Sequence, residues 1–207
     1  MTGNFNNMES DIRKASVVKE RVNLISSHMY KQYLDHQMAC ENTKEMFYLI
    51  LKEMDSVIDY LKESFSARSI SSSNISYEFY KESCIAVINI LWNSITFKTR
   101  NNTRPQALAR DNYPPLFSGR IIALNGTFKN PIITNEDFTS TLKNEIASLY
   151  IPADKTANCI IKIKHLGNKE FIINPIDAPR EFLLKVIEII CGGGIYHEEE
   201  FIADHDF

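Results

Sequence analysis

Between about residues 9 and 37, apolar side chains recur at Ala15, Val18, Val22, Ile25 and Met29, at spacings of 3, 4, 3 and 4. That rhythm places them on one stripe of a helix. Residues 43–65 repeat it with Phe47, Ile50, Met54, Val57 and Leu61, and Asn42 or Thr43 stands where a helix start is capped. Two helices with matching stripes and a short connection predict an antiparallel αα-hairpin, too short for an extended coiled coil. After a serine-rich loop at 66–76, the run 77–97 is apolar. Its period (Ile85, Ile88, Trp92, Ile95) predicts a buried helix covered by the hairpin, while its β-branched content leaves a strand open.

The character of the chain changes near residue 97. Residues 98–118 contain Asn101-Asn102, Pro105 and Pro114-Pro115, a proline density that neither helix nor ladder accepts. Arg120 to Leu124, then Asn125-Gly126, then Thr127 to Lys129 predicts a hairpin, since Asn-Gly supplies positive φ angles. Thr134 is placed to cap a helix reaching about Leu149, with Asp137 at the third helical position and Ile133 and Phe138 as a hydrophobic staple. Residues 158–164 and 170–174 flank a turn and predict a second hairpin, whose alternating Ile161-Lys162-Ile163-Lys164 gives one wet face. Asp177 opens a last helix with Pro179 in its first turn, an apolar stripe of Phe182, Leu183, Val186, Ile187 and Ile190, and Gly192-Gly193-Gly194 at its end.

Charge sharpens this division. Residues 1–97 hold ten Lys/Arg against twelve Asp/Glu, residues 98–130 hold six against Asp111 alone, and residues 131–207 hold seven against thirteen. The basic middle between acidic flanks implies internal pairing or one exposed basic patch. The 207 residues, 44% apolar and 24% charged, are enough for a substantial core. Cys40, Cys84, Cys159 and Cys191 are far apart, and the last three sit in apolar runs as small hydrophobes, which argues against a disulfide framework or a zinc knuckle. The polar start and the lack of a stretch of about 20 apolar residues point to a cytoplasmic protein without a membrane partner. Richness in Ile, Asn and Lys suits an AT-rich bacterial or phage genome.

Three groups of residues carry candidate chemistry. Arg21 and His28 lie seven apart on one helical face, followed by Met29-Tyr30. An Arg and a His with six residues between them on a helix resemble the active-site pair of HEPN-type ribonucleases, helical proteins of toxin and defence systems. The resemblance implies metal-independent RNA cleavage by Arg21 and His28 at a dimer interface. Val22 departs from that pattern, since a polar residue usually follows the arginine, and the pair stands here in the first helix rather than late in the bundle. The alternative is that Arg21 and His28, with Lys14 and Asp35, form the charged row that flanks an apolar seam. In the second group, Arg100, Arg104, Arg110 and Arg120 are interleaved with Phe97, Tyr113 and Phe117, a mixture able to contact phosphates and stack on bases. In the third, the tail gathers His197, Glu198, Glu199, Glu200, Asp204, His205 and Asp206. It reads as an acidic solvated segment rather than a metal site, with Phe201, Ile202 and Phe207 as apolar anchors. The three glycines follow a helix, whereas phosphate-cradling glycines precede one, and no nucleophile elbow appears.

The expected fold is therefore α+β: an N-terminal helical hairpin plus a buried helix over 1–97, an irregular basic connection over 98–117, and a small antiparallel sheet with two helices and an acidic tail over 118–207. The expected function is that of a non-enzymatic interaction subunit or regulator in a larger assembly, with no cofactor or metal. Its partners are other protein subunits, self or heteromeric, met through Val18, Val22, Ile25, Met29, Phe201 and Ile202. The alternatives are a HEPN-like ribonuclease and a nucleic-acid-binding module over 98–120.

Overall fold

A computed structural model describes residues 4–100, 118–128, 143–164 and 166–192. The chain is mixed helix and sheet. Helix α1 (Asn4–Ala67) leads into strands β1 (Ile75–Tyr80), β2 (Ile85–Ile90), β3 (Asn93–Arg100), β4 (Ser118–Asn125), β5 (Glu145–Pro152), β6 (Cys159–Ile163) and β7 (Lys169–Ile173), and helix α2 (Ala178–Cys191) follows. The seven strands form one sheet in chain order, and every neighbouring pair is antiparallel.

The expected helical hairpin is instead one continuous helix of 64 residues. Asn42 and Thr43, which resemble a cap in sequence, are buried inside it. Asn42 Nδ2 donates to the carbonyls of Pro152 (3.0 Å) and Ala153 (2.8 Å), and Thr43 Oγ1 donates to Ala39 O at 2.6 Å. These polar side chains dock the helix on the ends of β4 and β5 rather than starting it. Below this point Met46, Phe47, Ile50, Met54 and Ile58 are buried against the sheet. At the rim Glu53 and Glu45 of α1 meet Arg180 (3.0 Å) and Lys155 (2.5 Å).

The buried helix expected over 77–97 is the end of β1 followed by β2 and β3. Ile90 pairs with Asn93 across a tight turn in which Leu91 takes a left-handed φ of 57° and Trp92 is 85% exposed. Ile85 and Val87 point away from the helices and Ala86, Ile88 and Ile90 toward them, yet all five are buried. A strand buried on both faces loses the period-2 alternation that distinguishes it from a helix.

β4 does not turn back at Asn125-Gly126. Its neighbours are β3 and β5. Gly126 has the anticipated positive φ (109°), but its N–H donates to Ser94 O (2.8 Å) and its carbonyl accepts from the buried Thr96 hydroxyl (2.6 Å). Phe128 N–H donates to the same hydroxyl at 3.0 Å, so the chain crosses β3 here instead of forming a hairpin. The helix start at Thr134 lies outside the described residues, and 145–149, assigned to that helix in sequence, belong to β5.

The C-terminal part follows the sequence pattern closely. β6 and β7 form the expected hairpin, with Gly167 and Asn168 at positive φ in the turn. α2 begins after Asp177, although Asp177 makes no side-chain cap bond, and ends at Gly192, whose N–H donates to Glu188 O. Phe182, Leu183, Val186 and Ile187 are buried, and Phe182 meets Phe97 edge-to-face at 5.9 Å. Among the described residues one apolar core joins α1, α2 and one face of the sheet.

Cys159 is buried in that core, Cys84 and Cys40 are half-buried, and Cys191, expected to be buried, is exposed. Burial pushes the Cys159 thiol up to about 11. At pH 8 its thiolate fraction is then about 100-fold below that of an ordinary cysteine. Iodoacetamide is expected to alkylate Cys191 first and Cys159 only when urea unfolds the chain. Mass spectrometry of the adducts reads this, and early native labelling of Cys159 would contradict its burial.

Candidate protein-protein interface

Helices in globular proteins owe their stability mainly to packing of an apolar face. Over its described side chains, residues 16–67, α1 obeys this only from Ala39 onward. Over residues 16–38 the side chains are exposed, apart from the half-buried Asp35 and His36. At 1.5 Å per residue this stretch covers roughly 34 Å of an arm. It is not a polar helix. Val18, Val22, Ile25 and Met29 remain 55–63% exposed.

These four continue the stripe that builds the core. In steps of four and three, the series Val18, Val22, Ile25, Met29, Gln32, His36, Ala39, Thr43, Met46, Ile50 runs down one helix face. From Ala39 on its members are buried, Ile50 completely. The sheet covers the lower half of the stripe, and the upper half overhangs it. Leu24, Tyr30, Tyr33, Leu34 and Met38 add exposed apolar surface off the stripe. Sequence reasoning missed these five. The available signal was the number of apolar residues in 16–38 beyond what one stripe needs.

Polar residues flank the stripe in register. Arg21, His28 and Asp35 follow one side at seven-residue intervals, and Lys19, Ser26 and Tyr33 follow the other. Arg21 and His28 are both exposed, separated by roughly 10 Å of helix rise. His28 Nε2 lies 3.0 Å from Gln32 Nε2, and Gln37 donates to the Tyr33 hydroxyl at 2.7 Å. A shallow groove on the arm is lined by Ser16, Lys19, Glu20, Asn23, Leu24 and Ser27, without Arg21 or His28.

The remaining candidates fall elsewhere. Arg120 lies on the sheet face opposite the helices, ion-paired with Glu145. Its Nε donates to Ser148 Oγ at 2.9 Å and its guanidinium sits 5.4 Å from the centre of the Tyr150 ring. Its charge is paired within the sheet. The backbone of Arg100 pairs with that of Arg120. Arg104, Arg110, Phe201, Ile202 and the His/Glu/Asp tail lie outside the described residues. Among the described residues no cluster of three or more His, Cys, Asp or Glu is placed to hold a metal, and no helix is long and apolar enough to cross a membrane. Comparison with protein-family models, curated proteins and solved structures finds no match.

Proposed function

We propose that the chain is a non-enzymatic interaction protein, a subunit or regulator of a larger assembly, and that the α1 arm is its docking element. The observation that carries this reading is the continuation of the core stripe past the sheet, with Val18, Val22, Ile25 and Met29 left more than half exposed. Burying one such side chain from this exposure stabilises a complex by about 1 kcal/mol, so the four together contribute roughly 4 kcal/mol before the entropy of association is subtracted. The polar flanks then set orientation and exclude wrong partners.

The test is the double variant Ile25→Glu/Met29→Glu in the full chain. Both positions face solvent, so the melting temperature is expected to stay within about 2 °C of wild type. Assembly with the protein's stoichiometric partners is expected to be lost in size-exclusion chromatography with light scattering. Unchanged assembly would overturn the reading.

The ribonuclease alternative is supported by the exposure of Arg21 and His28 on one flank of the arm. It requires RNA cleavage by the purified chain that Arg21→Ala or His28→Ala abolishes. The interaction reading expects no cleavage by the wild-type protein.

A further inference from the structure

We infer that the second face of the sheet, turned away from α1 and α2, is covered by residues 129–142 of the same chain, laid across β2 to β5 as a helix that ends at Lys143. The arm plays no part in this face.

An antiparallel sheet with one face in water carries polar side chains there. The second face does so over β6 and β7, where Lys162 pairs with Glu170 and Ile172 is 75% exposed. Over β2 and β4 it carries Ile85, Val87, Ile122 and Leu124 instead. None of these is more than 3% exposed, and none belongs to the core beneath the helices. Thr96 and Ser148, on the same face, are buried too. Strand neighbours shield an upright side chain at its flanks alone, so burial this deep requires a further layer stacked about 10 Å from the strands. The described chain rises onto this face at Gly126 to Phe128. There the Thr96 hydroxyl donates to Gly126 O at 2.6 Å and accepts from Phe128 N–H at 3.0 Å.

The stretch 129–142, outside the described residues, has both ends fixed at this face. It leaves from Phe128 above β3. It returns through Lys143, which is helical, to Asn144, whose carbonyl accepts from Asn125 N–H at 2.8 Å at the end of β4. The sequence supplies a helix for that return. Thr134 stands at the cap position, Phe138 and Leu142 share one side four apart, and Ile132 and Ile133 come just before. A helix over 134–143 is roughly 15 Å long. The span from β2 to β5 is about the same, at roughly 4.8 Å per strand. Residues 129–133 reach roughly 17 Å when extended, enough to pass from β3 beyond β2 so that the helix can come back. The connection 101–117 leaves the sheet at its opposite end, from Arg100 and Ser118, and Pro105 and Pro114 leave fewer than ten residues between them. The same layer seals the Arg120, Glu145 and Ser148 group, which lies on this face.

Two cysteine probes at neighbouring positions of β4 test this in the full-length chain. Leu124 points to the second face and Ala123 to the helices, and both are fully buried. Leu124→Cys and Ala123→Cys are each combined with Phe138→Ala/Leu142→Ala, and iodoacetamide labelling within residues 121–129 is followed by mass spectrometry. Each probe alone is expected to stay unlabelled in the folded chain. Trimming Phe138 and Leu142 is expected to speed labelling of Leu124→Cys about tenfold or more and to leave Ala123→Cys within about twofold. Leu142→Ala alone carries the same comparison where the double change unfolds the chain. Labelling of Leu124→Cys that does not change, or that rises equally with Ala123→Cys, overturns the inference. So does labelling that responds to Leu108→Ala/Leu116→Ala instead, which assigns the face to 101–117. A Leu124→Cys rate that falls as protein concentration rises assigns it to a second copy and overturns the inference as well.

Discussion

Gly119→Ala is expected to lower the melting temperature by about 10 °C, a loss of roughly 3 kcal/mol for a chain of this size. The cause is the close approach of α1 to β4. A Cβ at Gly119 would lie 1.4 Å from Thr43 Oγ1, 2.7 Å from Thr43 Cβ and 2.9 Å from the Ala39 carbonyl oxygen. The hydroxyl has little freedom to leave, because it donates to that same carbonyl at 2.6 Å. The carbonyl belongs to the helix backbone, so relief requires α1 to rise from the sheet. That movement would also lengthen the Asn42 hydrogen bonds to Pro152 and Ala153. Thr43→Ala should restore part of the loss, since it removes the nearest atom but not the carbonyl. Scanning calorimetry of the two single variants and the double variant reads the coupling. A Gly119→Ala protein melting within about 2 °C of wild type would refute the contact.

That contact also explains what the sequence concealed. Two stripes, Ala15 to Met29 and Phe47 to Leu61, were readable along the chain, but Asn42-Thr43 between them reads locally as a helix start. Only a strand end arriving from more than a hundred residues away turns Asn42 into a docking residue. The error over 85–97 has a different origin. The IAVINI segment is buried on both sides, so the alternation that marks a half-exposed strand is missing. By contrast, the β6–β7 hairpin and α2 are built from local signals, namely a Gly-Asn turn, alternating lysines and a single broad stripe, and these were legible. For the candidate interface, the seam residues Val18, Val22, Ile25 and Met29 were identifiable from spacing alone. Their exposure was not, because the same series of positions is buried from Ala39 onward and no local feature marks where the sheet ends.

Arg120→Ala is expected to destabilise the protein by about 3–5 kcal/mol, the cost of leaving a buried carboxylate without its main partner. Glu145 has a side chain only 8% exposed, and a second cationic neighbour, Lys164 Nζ, is 3.8 Å away. Ser148 is tied into the same group, accepting from Arg120 Nε and donating to Glu145 Oε1. Alanine therefore removes an ion pair, the donor to the Ser148 hydroxyl and a guanidinium over the Tyr150 ring in one step. Replacing both charges by apolar side chains of similar volume, Arg120→Met with Glu145→Leu, should recover most of the stability, because neither charge then remains buried alone. The two variants also separate this structural role from nucleic-acid contact. A phosphate-binding arginine would lower nucleic-acid affinity in both variants alike and reduce its salt dependence. A structural ion pair predicts a large loss of stability in Arg120→Ala, recovery in the double variant, and no change in nucleic-acid affinity for the folded protein. Equilibrium urea unfolding of the three proteins, with filter binding to a mixed RNA and DNA pool, distinguishes the two roles. A fully stable Arg120→Ala protein would refute the buried pair.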